Sequence, residues 1–277
     1  MINQSSNPNI TISSDNDVKQ QLDSYISSNV LCNYMREPEF LKIAIKTMSL
    51  RPRYFEEDMQ YLQVDGLTYL TFPMLCFCDI PFAKASHHMS DYGHYGIALK
   101  KQYCIEKGVQ PINYLNTKSF LTKDLVCTLR KLYALPEIKD KKLEFLPNYL
   151  ERLILYSKPI AGQMRRDNEE PKIRLFKDES EWRYIPDIPS RSKLPIFLDD
   201  DDNNAEGRNK FSDALNKFRS TNFHFEINDV AYIIVSSEQE ATDFSDYISS
   251  LRRFNRTERN KLISKIEISE NFSKDLI

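Results

Sequence analysis

The sequence Pro73-Met74-Leu75-Cys76-Phe77-Cys78-Asp79-Ile80-Pro81 decides how the rest of the chain is interpreted. Its apolar run ends at Asp79 and Pro81, which predicts a buried strand at 74–78 followed by a turn. A second short strand is predicted at 96–99. Between the two strands lie three of the four histidines: His87, His88 and His94. Polar, titratable side chains held between buried strands often line a pocket. The alternative is a polar loop whose histidines cap or solvate a helix.

The composition indicates a globular protein with balanced charge. The chain has 277 residues, with 38 basic and 40 acidic side chains and a net charge of -2, and 41% of its residues are hydrophobic. This length suits one large domain or two small ones. The charge balance gives no overall attraction to nucleic acid, although it leaves room for a local basic patch. The six glycines form neither a P-loop nor a GxGxxG motif, which argues against a Walker-type nucleotide enzyme and a Rossmann dehydrogenase.

The sequence predicts a cytoplasmic protein that does not enter a membrane. It contains no apolar run of the roughly 20 residues that a membrane-spanning helix needs. The N-terminus is polar and lacks an apolar core, so we expect no signal peptide. The five cysteines form an odd set and lie mostly in apolar surroundings, which favours reduced, buried thiols.

The predicted fold class is α+β, as a single domain with a mixed, strongly twisted sheet of short strands flanked by helices. Residues 1–16 are predicted to be a flexible tail and residues 17–277 to form the domain. Hydrophobic spacing predicts helices at 17–27, from 38 onward, and at 119–135, 146–156, 206–218 and 238–251. Further strands are predicted at 29–34, 110–115, 173–176, 181–186, 223–225, 230–236 and 263–268. We interpret 173–176 and 181–186 as a strand pair or one bulged strand, and the acidic stretches 56–58 and 198–207 as solvated loops.

A second informative cluster is Glu179-Ser180-Glu181-Trp182-Arg183-Tyr184. On a strand, Glu181 and Arg183 share one face, while Trp182 and Tyr184 share the other. We expect Trp182, the only tryptophan, to pack in the core and leave Glu181 and Arg183 facing a more polar cleft. Glu179 and Glu181 would face together, as a carboxylate pair suited to acid–base chemistry or to orienting a ribose. The alternative is a surface ion pair that contributes little to stability.

Cys76 and Cys78 place two thiols on one face of the predicted strand, with histidines nearby, as a zinc site would require. The Cys-x-x-Cys pair that is typical of structural zinc does not occur in the sequence. We therefore predict buried structural thiols and no metal. No local motif indicates a nucleophilic serine or cysteine either.

The segment 73–81, followed by His88 and Tyr92-Gly93-x-Tyr95-Gly96-Ile97, resembles the central signature of the AbiGi abortive-infection family. Three later segments are also similar to that family: Lys158-Pro159-Ile160-x-Gly162, Glu179-x-Glu181-Trp182-Arg183-Tyr184-x-Pro186 and Asn228-Asp229-Val230-x-Tyr232-Ile233-Ile234-Val235. The resemblance keeps its order over about residues 28–275. It implies a bacterial phage-defence protein, and the family carries the label of an antitoxin of a two-gene abortive-infection system.

A more distant resemblance is to ADP-ribosyltransferases, whose folds begin with a strand carrying a His-x-Thr motif and end with a catalytic Glu. Residues 31–35 and 40–44 have the spacing of that first strand and its following helix, with Asn33 in place of the His and Met35 in place of the Thr. Glu181 is the candidate for the late Glu. The resemblance implies NAD as the cofactor, with the Glu steadying the ribose and its developing positive charge. An Asn can hydrogen-bond a ribose or an amide but supplies no cation, and an ordinary strand-end Asn is the alternative.

Two hypotheses follow from these resemblances. In the first, the protein is an NAD-dependent ADP-ribosyltransferase or NAD hydrolase, with a protein or nucleic acid as the target of any transfer. Its catalytic residues would be Glu181, His88 and Lys158, and its cofactor-binding residues would be Asn33, Tyr95 and Arg183. In the second, the same fold is a non-catalytic antitoxin or sensor module that binds a partner protein encoded alongside it. The first hypothesis predicts that Asn33, His88, Lys158 and Glu181 converge on one pocket.

Overall fold

The computed structural model describes residues 28–135, 140–164 and 172–272. The tail predicted at 1–16 and the helix predicted at 17–27 lie outside these ranges, and the extent of the domain, 17–277, stays a prediction. None of the helices within the described ranges is long and apolar enough to cross a membrane.

The described chain is built of short strands and helices. The strands are β1 (Val30–Met35), β2 (Ser49–Leu50), β3 (Arg53–Asp58), β4 (Tyr69–Cys78), β5 (Tyr95–Lys100), β6 (Gln110–Pro111), β7 (Asn113–Leu115), β8 (Ser157–Pro159), β9 (Ala161–Met164), β10 (Lys172–Leu175), β11 (Glu181–Tyr184), β12 (Phe223–His224), β13 (Val230–Val235) and β14 (Ile266–Ile268). The helices are α1 (Pro38–Thr47), α2 (Ser86–Tyr92), α3 (Lys101–Glu106), α4 (Phe120–Tyr133), α5 (Leu146–Leu155), α6 (Ala205–Leu215), α7 (Glu238–Ser250) and α8 (Arg256–Ile263).

One sheet holds most of the strands. Its order is β14-β13-β5-β1-β4-β11-β6, and β3 pairs with β4 beside this path. β13 and β14 run parallel, and the other neighbours run antiparallel. The sheet is therefore mixed and, with its flanking helices, confirms the predicted α+β class.

β4 is the strand that positions the site. Its first part pairs with β3, up to Arg53↔Met74, and its last part pairs with β11, from Tyr184↔Leu75 to Glu181↔Cys78. On its other side, β4 meets β1 at the single pair Cys32↔Cys78, whereas β1 pairs with β5 along its whole length. β4 is covered on both faces, which explains why its sequence is a continuous apolar run rather than an alternating one.

The two faces of the sheet pack against different helices. The largest apolar cluster lies on one face, with α1 and α7, and includes Leu31, Phe77, Ile97, Ile45 and Phe244. Trp182 and Tyr184 pack against its edge. On the other face, Cys32 and Cys78 pack with Met89 of α2, and the first part of β4 packs with α4 and α5 through Phe72, Met74, Leu129 and Leu150.

Several predicted elements are confirmed with small changes in their bounds, and some predictions are wrong. The edge strand predicted at 263–268 is β14, but the preceding helix α8 was not expected. Residues 173–176 and 181–186 do not pair with each other, because β10 pairs with β9 and β11 pairs with β4 and β6. The strand predicted at 110–115 is divided between β6 and β7, and β7 leaves the sheet to pair with β8. The acidic stretch 56–58 is the end of β3, not a loop.

Candidate functional site

β11 carries the residues that the sequence singled out. Glu181 and Arg183 lie opposite Cys78 and Cys76 of β4, so they share the face that packs against α2, α4 and α5. The two residues are only 6% and 0% exposed. The alternative of a surface ion pair is therefore wrong, because the pair is enclosed by the protein.

Five charged side chains from three parts of the chain meet here and form what we call the charge cluster: Glu57, Lys158, Glu179, Glu181 and Arg183. Arg183 Nε donates a 2.6 Å hydrogen bond to Glu181 Oε1. Lys158 Nζ lies 3.1 Å from Glu181 Oε2 and 3.2 Å from Glu179 Oε2. Arg183 Nη2 lies 3.0 Å from Glu57 Oε2. The side chains in these pairs are at most 14% exposed.

Backbone and aromatic groups complete the surroundings of the two cations. Arg183 Nη1 donates a 2.8 Å hydrogen bond to the carbonyl oxygen of Leu155 at the end of α5, and its guanidinium lies 5.9 Å from the ring centre of Phe72. Lys158 Nζ lies 4.6 Å from the ring centre of Phe176. Such hydrogen bonds and ring contacts offset part of the cost of burying a charge.

The opposing charges fix the protonation states within the cluster. Burial by itself raises the pKa of Glu181, but the charges of Arg183 and Lys158 outweigh it and hold that pKa below its ordinary value. Burial lowers the pKa of Lys158, yet the neighbouring carboxylates, Glu181 foremost, raise it well above its ordinary value. At neutral pH, Glu181 is therefore an ionised acceptor with no proton to donate.

A chain of aromatic contacts leads from the cluster to His88. Tyr92 at the end of α2 donates a 2.8 Å hydrogen bond from its hydroxyl to Glu179 Oε1. The His88 ring stacks on the Tyr92 ring with centres 4.4 Å apart and lies 5.5 Å from the Tyr34 ring. His87, in contrast, is exposed, so His88 is the histidine of the pair that points inward.

The structure brings together only part of the predicted site. Glu181, Lys158 and Arg183 are in direct contact, and His88 is connected to them through Tyr92. Asn33 lies apart, since strand alternation places it on the opposite face from Cys32, and its side-chain amide donates a 2.8 Å hydrogen bond to the Cys76 carbonyl oxygen.

Tyr95 also lies apart from the charge cluster. Its hydroxyl donates a hydrogen bond to Glu240 in the first turn of α7. Tyr95 pairs with Met35 across β1 and β5 and packs at the edge of the largest apolar cluster. Neither Asn33 nor Tyr95 therefore shares an enclosure with Glu181.

Sequence reasoning missed three groups that contact the predicted residues. Glu57 was assigned to a loop, and no pattern in its neighbourhood indicated pairing with Arg183. Tyr92 stood in a quoted motif but carried no assigned role. Tyr114 of β7 accepts a 2.8 Å hydrogen bond from the backbone N–H of Glu181 through its hydroxyl. Within the described part of the chain, no group of three or more His, Cys, Asp or Glu residues is placed to hold a metal ion.

Comparison with known proteins identifies the family. The family described as "Putative abortive phage resistance protein AbiGi, antitoxin" matches residues 48–236. The chain belongs to the AbiGi family. A curated AbiGi relative from Lactococcus lactis subsp. cremoris, named as an abortive phage resistance protein, is 32% identical over 249 residues, which cover 82% of this chain and 100% of the relative. No solved structure matches this AbiGi chain, so an ADP-ribosyltransferase-like fold stays a prediction.

Proposed function

We propose that this protein serves abortive phage resistance as an antitoxin that binds a partner protein, and that its charge cluster holds the fold together. One observation carries the proposal. Both carboxylate oxygens of Glu181 are engaged, one by Arg183 and the other by Lys158, and its side chain is only 7% exposed. A carboxylate that stabilises a developing charge on a substrate must face that substrate, whereas this one faces two cations of the protein itself.

The family supports the same function. The word antitoxin stands in the description of the family that matches residues 48–236. The proposal is that this antitoxin acts through direct contact with the product of the neighbouring gene. We therefore infer a partner protein encoded alongside this one.

A candidate surface for that contact lies at the start of α4. Phe120 and Leu121 are 82% and 71% exposed, and they are flanked by the exposed residues Lys118 and Lys123. Adjacent exposed apolar side chains with a charged rim are typical of protein contact sites. Asp124 is also exposed beside them, so the rim carries both signs of charge and favours a partner whose surface is apolar at its centre and charged around it.

A second candidate function is NAD-dependent ADP-ribosyl transfer or NAD hydrolysis, with a protein or nucleic acid as the target of any transfer. The observation that favours it is the convergence of Glu179 and Glu181 on one Lys158 ammonium, with His88 close by through Tyr92. For this chemistry, NAD binding would have to separate Lys158 from Glu181 and open the enclosure.

One experiment separates the two candidates. The purified protein is incubated with NAD, with and without cell extract, and nicotinamide release is followed for wild type, Glu181→Gln and Asp79→Asn. Asp79 is the matched control, because both of its oxygens are held by Lys101 at 2.8 Å outside the charge cluster. In parallel, the neighbouring gene product is co-expressed to measure co-purification and relief of its toxicity.

The binding proposal predicts co-purification, relief of toxicity, and no nicotinamide release from any of the three proteins. Nicotinamide release by wild type and Asp79→Asn that is lost in a folded Glu181→Gln protein would overturn it and favour the enzyme. Thermal unfolding of each variant shows which of them remain folded.

A further inference from the structure

The sheet face that carries Glu181 also holds two cysteines side by side. Cys32 of β1 and Cys78 of β4 lie directly opposite each other, at the one pair where these strands meet. Opposed residues of antiparallel strands have Cα atoms about 4.5–5.5 Å apart, within the roughly 4.4–6.8 Å that disulfides span. Both are free cysteines and are only 1% and 2% exposed.

The surroundings of the two thiols differ. Hydrogen bonding from the Cys32 thiol, together with the interaction with His88 and a hydrogen bond from the Ile80 backbone, lowers the pKa of Cys78 to about 6 although burial opposes this. The hydrogen bond with Cys78 and burial raise the pKa of Cys32 well above its ordinary value. Of the two thiols, Cys78 is therefore the one that ionises more readily, and Cys32 is the one that holds its proton more tightly.

The other groups around Cys78 do not reverse this assignment. Tyr34 of β1 is neutral, because burial raises the pKa of its hydroxyl. Glu181 lies opposite Cys78 on β11, but its charge is matched by Arg183 and Lys158. His88, whose interaction with Cys78 lowers the pKa of that thiol, is itself half-buried and so keeps part of its surface in solvent.

We infer that Cys78 and Cys32 are a redox pair: a hydroperoxide oxidises Cys78, and Cys32 then closes a disulfide with it. This inference does not rest on the proposed function.

The Cys78 thiolate attacks one oxygen of hydrogen peroxide and the O–O bond breaks, which gives a sulfenic acid on Cys78 and a hydroxide that takes up a proton to become water. The Cys32 sulfur then attacks the Cys78 sulfur, the S–O bond breaks, and the sulfenic oxygen leaves as a second water with the Cys32 proton. Two thiols are oxidised to one disulfide while one peroxide is reduced to two waters.

The bond would join β1 covalently to β4 where their ladder is a single pair. It would lie beside Glu181, because Cys32, Cys78 and Glu181 form one row across β1, β4 and β11. Oxidation is therefore expected to stiffen the edge of the charge cluster without altering its charges.

The test uses the full chain with the exposed Cys127 replaced by serine. After treatment with hydrogen peroxide, intact mass spectrometry should show the loss of two hydrogen atoms, and a non-reducing peptide map should join Cys32 to Cys78. The Cys32→Ser variant should instead accumulate a sulfenic acid on Cys78 that dimedone traps. Protein that keeps both thiols free under these conditions, or that retains the Cys78 sulfenic acid with Cys32 present, would overturn the inference.

A second measurement tests whether the Cys78 thiol is activated, and not merely close to Cys32. Alkylation of Cys78 by iodoacetamide at pH 7 is compared with that of Cys104, a buried thiol whose pKa is raised to about 12 by burial. Cys78 should react at least tenfold faster than Cys104, and His88→Asn should slow Cys78 about tenfold as its thiolate fraction falls. Equal rates for Cys78 and Cys104, or no effect of His88→Asn, would contradict the assignment of Cys78 as the attacking thiol.

Discussion

Arg183 Nε donates a 2.6 Å hydrogen bond to Glu181 Oε1, two residues earlier on the same strand. The same guanidinium reaches Glu57 on β3 and the Leu155 carbonyl oxygen at the end of α5. A fully buried cation therefore joins three elements that are far apart in the sequence. Its first role is structural, because without it Glu57 would lose this buried cation and Glu181 would keep only Lys158.

Arg183→Met should destabilise the protein severely. The substitution leaves Glu57 and Glu181 without their shared cation, and breaking a buried pair in this way typically costs about 3–5 kcal/mol. The free energy of unfolding is measured by urea denaturation. The control is Lys42→Met, which removes an exposed pair with Glu39 and should cost less than about 1 kcal/mol. Similar losses in both variants would contradict a special role for Arg183.

Glu181 should make the protein sensitive to acid. Its folded-state pKa is depressed, so its contribution to stability is present above its unfolded pKa of about 4.3 and is lost as the pH falls through the folded value. The free energy of unfolding of wild type is therefore expected to fall more steeply below about pH 4.3 than that of Glu181→Gln. Urea denaturation at pH 7 and at steps down to pH 3 measures the difference. Parallel curves for the two proteins would show that Glu181 is not held in its ionised form by the fold.

Gly93→Ala should be far more damaging than Gly108→Ala. Both glycines have positive φ, +116° and +80°, so alanine adds backbone strain at each position. At Gly93, a Cβ would also overlap the carbonyl oxygen of Met35, whereas at Gly108 it would meet nothing within 4 Å. Thermal unfolding should show a small loss for Gly108→Ala, from strain of about 1 kcal/mol, and a larger loss for Gly93→Ala. Equal losses of thermal stability in the two variants would mean that backbone strain alone sets the cost of alanine at both positions.

Leu121→Asp should weaken binding of the proposed partner protein without weakening the fold. Leu121 lies in the first turn of α4 and is 71% exposed, and an acidic residue in a first turn is favourable to a helix. The change places a negative charge in the apolar patch, which is expected to weaken the complex at least tenfold when titrated with the neighbouring gene product. Ile173→Asp on β10 is the control, because Ile173 is 85% exposed on a different element. Unchanged affinity in Leu121→Asp would exclude the start of α4 as the contact surface.

Local sequence patterns predicted those elements whose apolar residues follow one another, or recur at helical spacing, within the element itself. β13 is a β-branched run, and α4 shows helical spacing, so both were predictable. β3 was not predictable from its sequence, because Tyr54 is the only buried residue of this strand. Its strand geometry comes from pairing with β4. For this reason Glu57 was taken for part of a solvated loop.

The site was predictable in its residue types but not in its burial. Alternation on β11 correctly placed Glu181 and Arg183 on one face. Charged residues are ordinarily exposed, and nothing near them in the sequence showed that Lys158 and Glu57 arrive from other elements to neutralise them. Asn33 lies on the opposite face because the sheet register sets its neighbour Cys32 opposite Cys78, which in turn lies opposite Glu181. That register is a property of the sheet and not of the residues around Asn33.

β4 has consequences for the order of events during synthesis. Its first part pairs with β3, which precedes it directly, whereas its last part pairs with β11, which leaves the ribosome much later. Until then, the growing chain carries an open strand edge along an apolar run, and Glu57 lacks the cation that neutralises it. Translation that stalls before position 181 would therefore release an aggregation-prone fragment, and the cell's chaperones would have to protect β4 until β11 covers it.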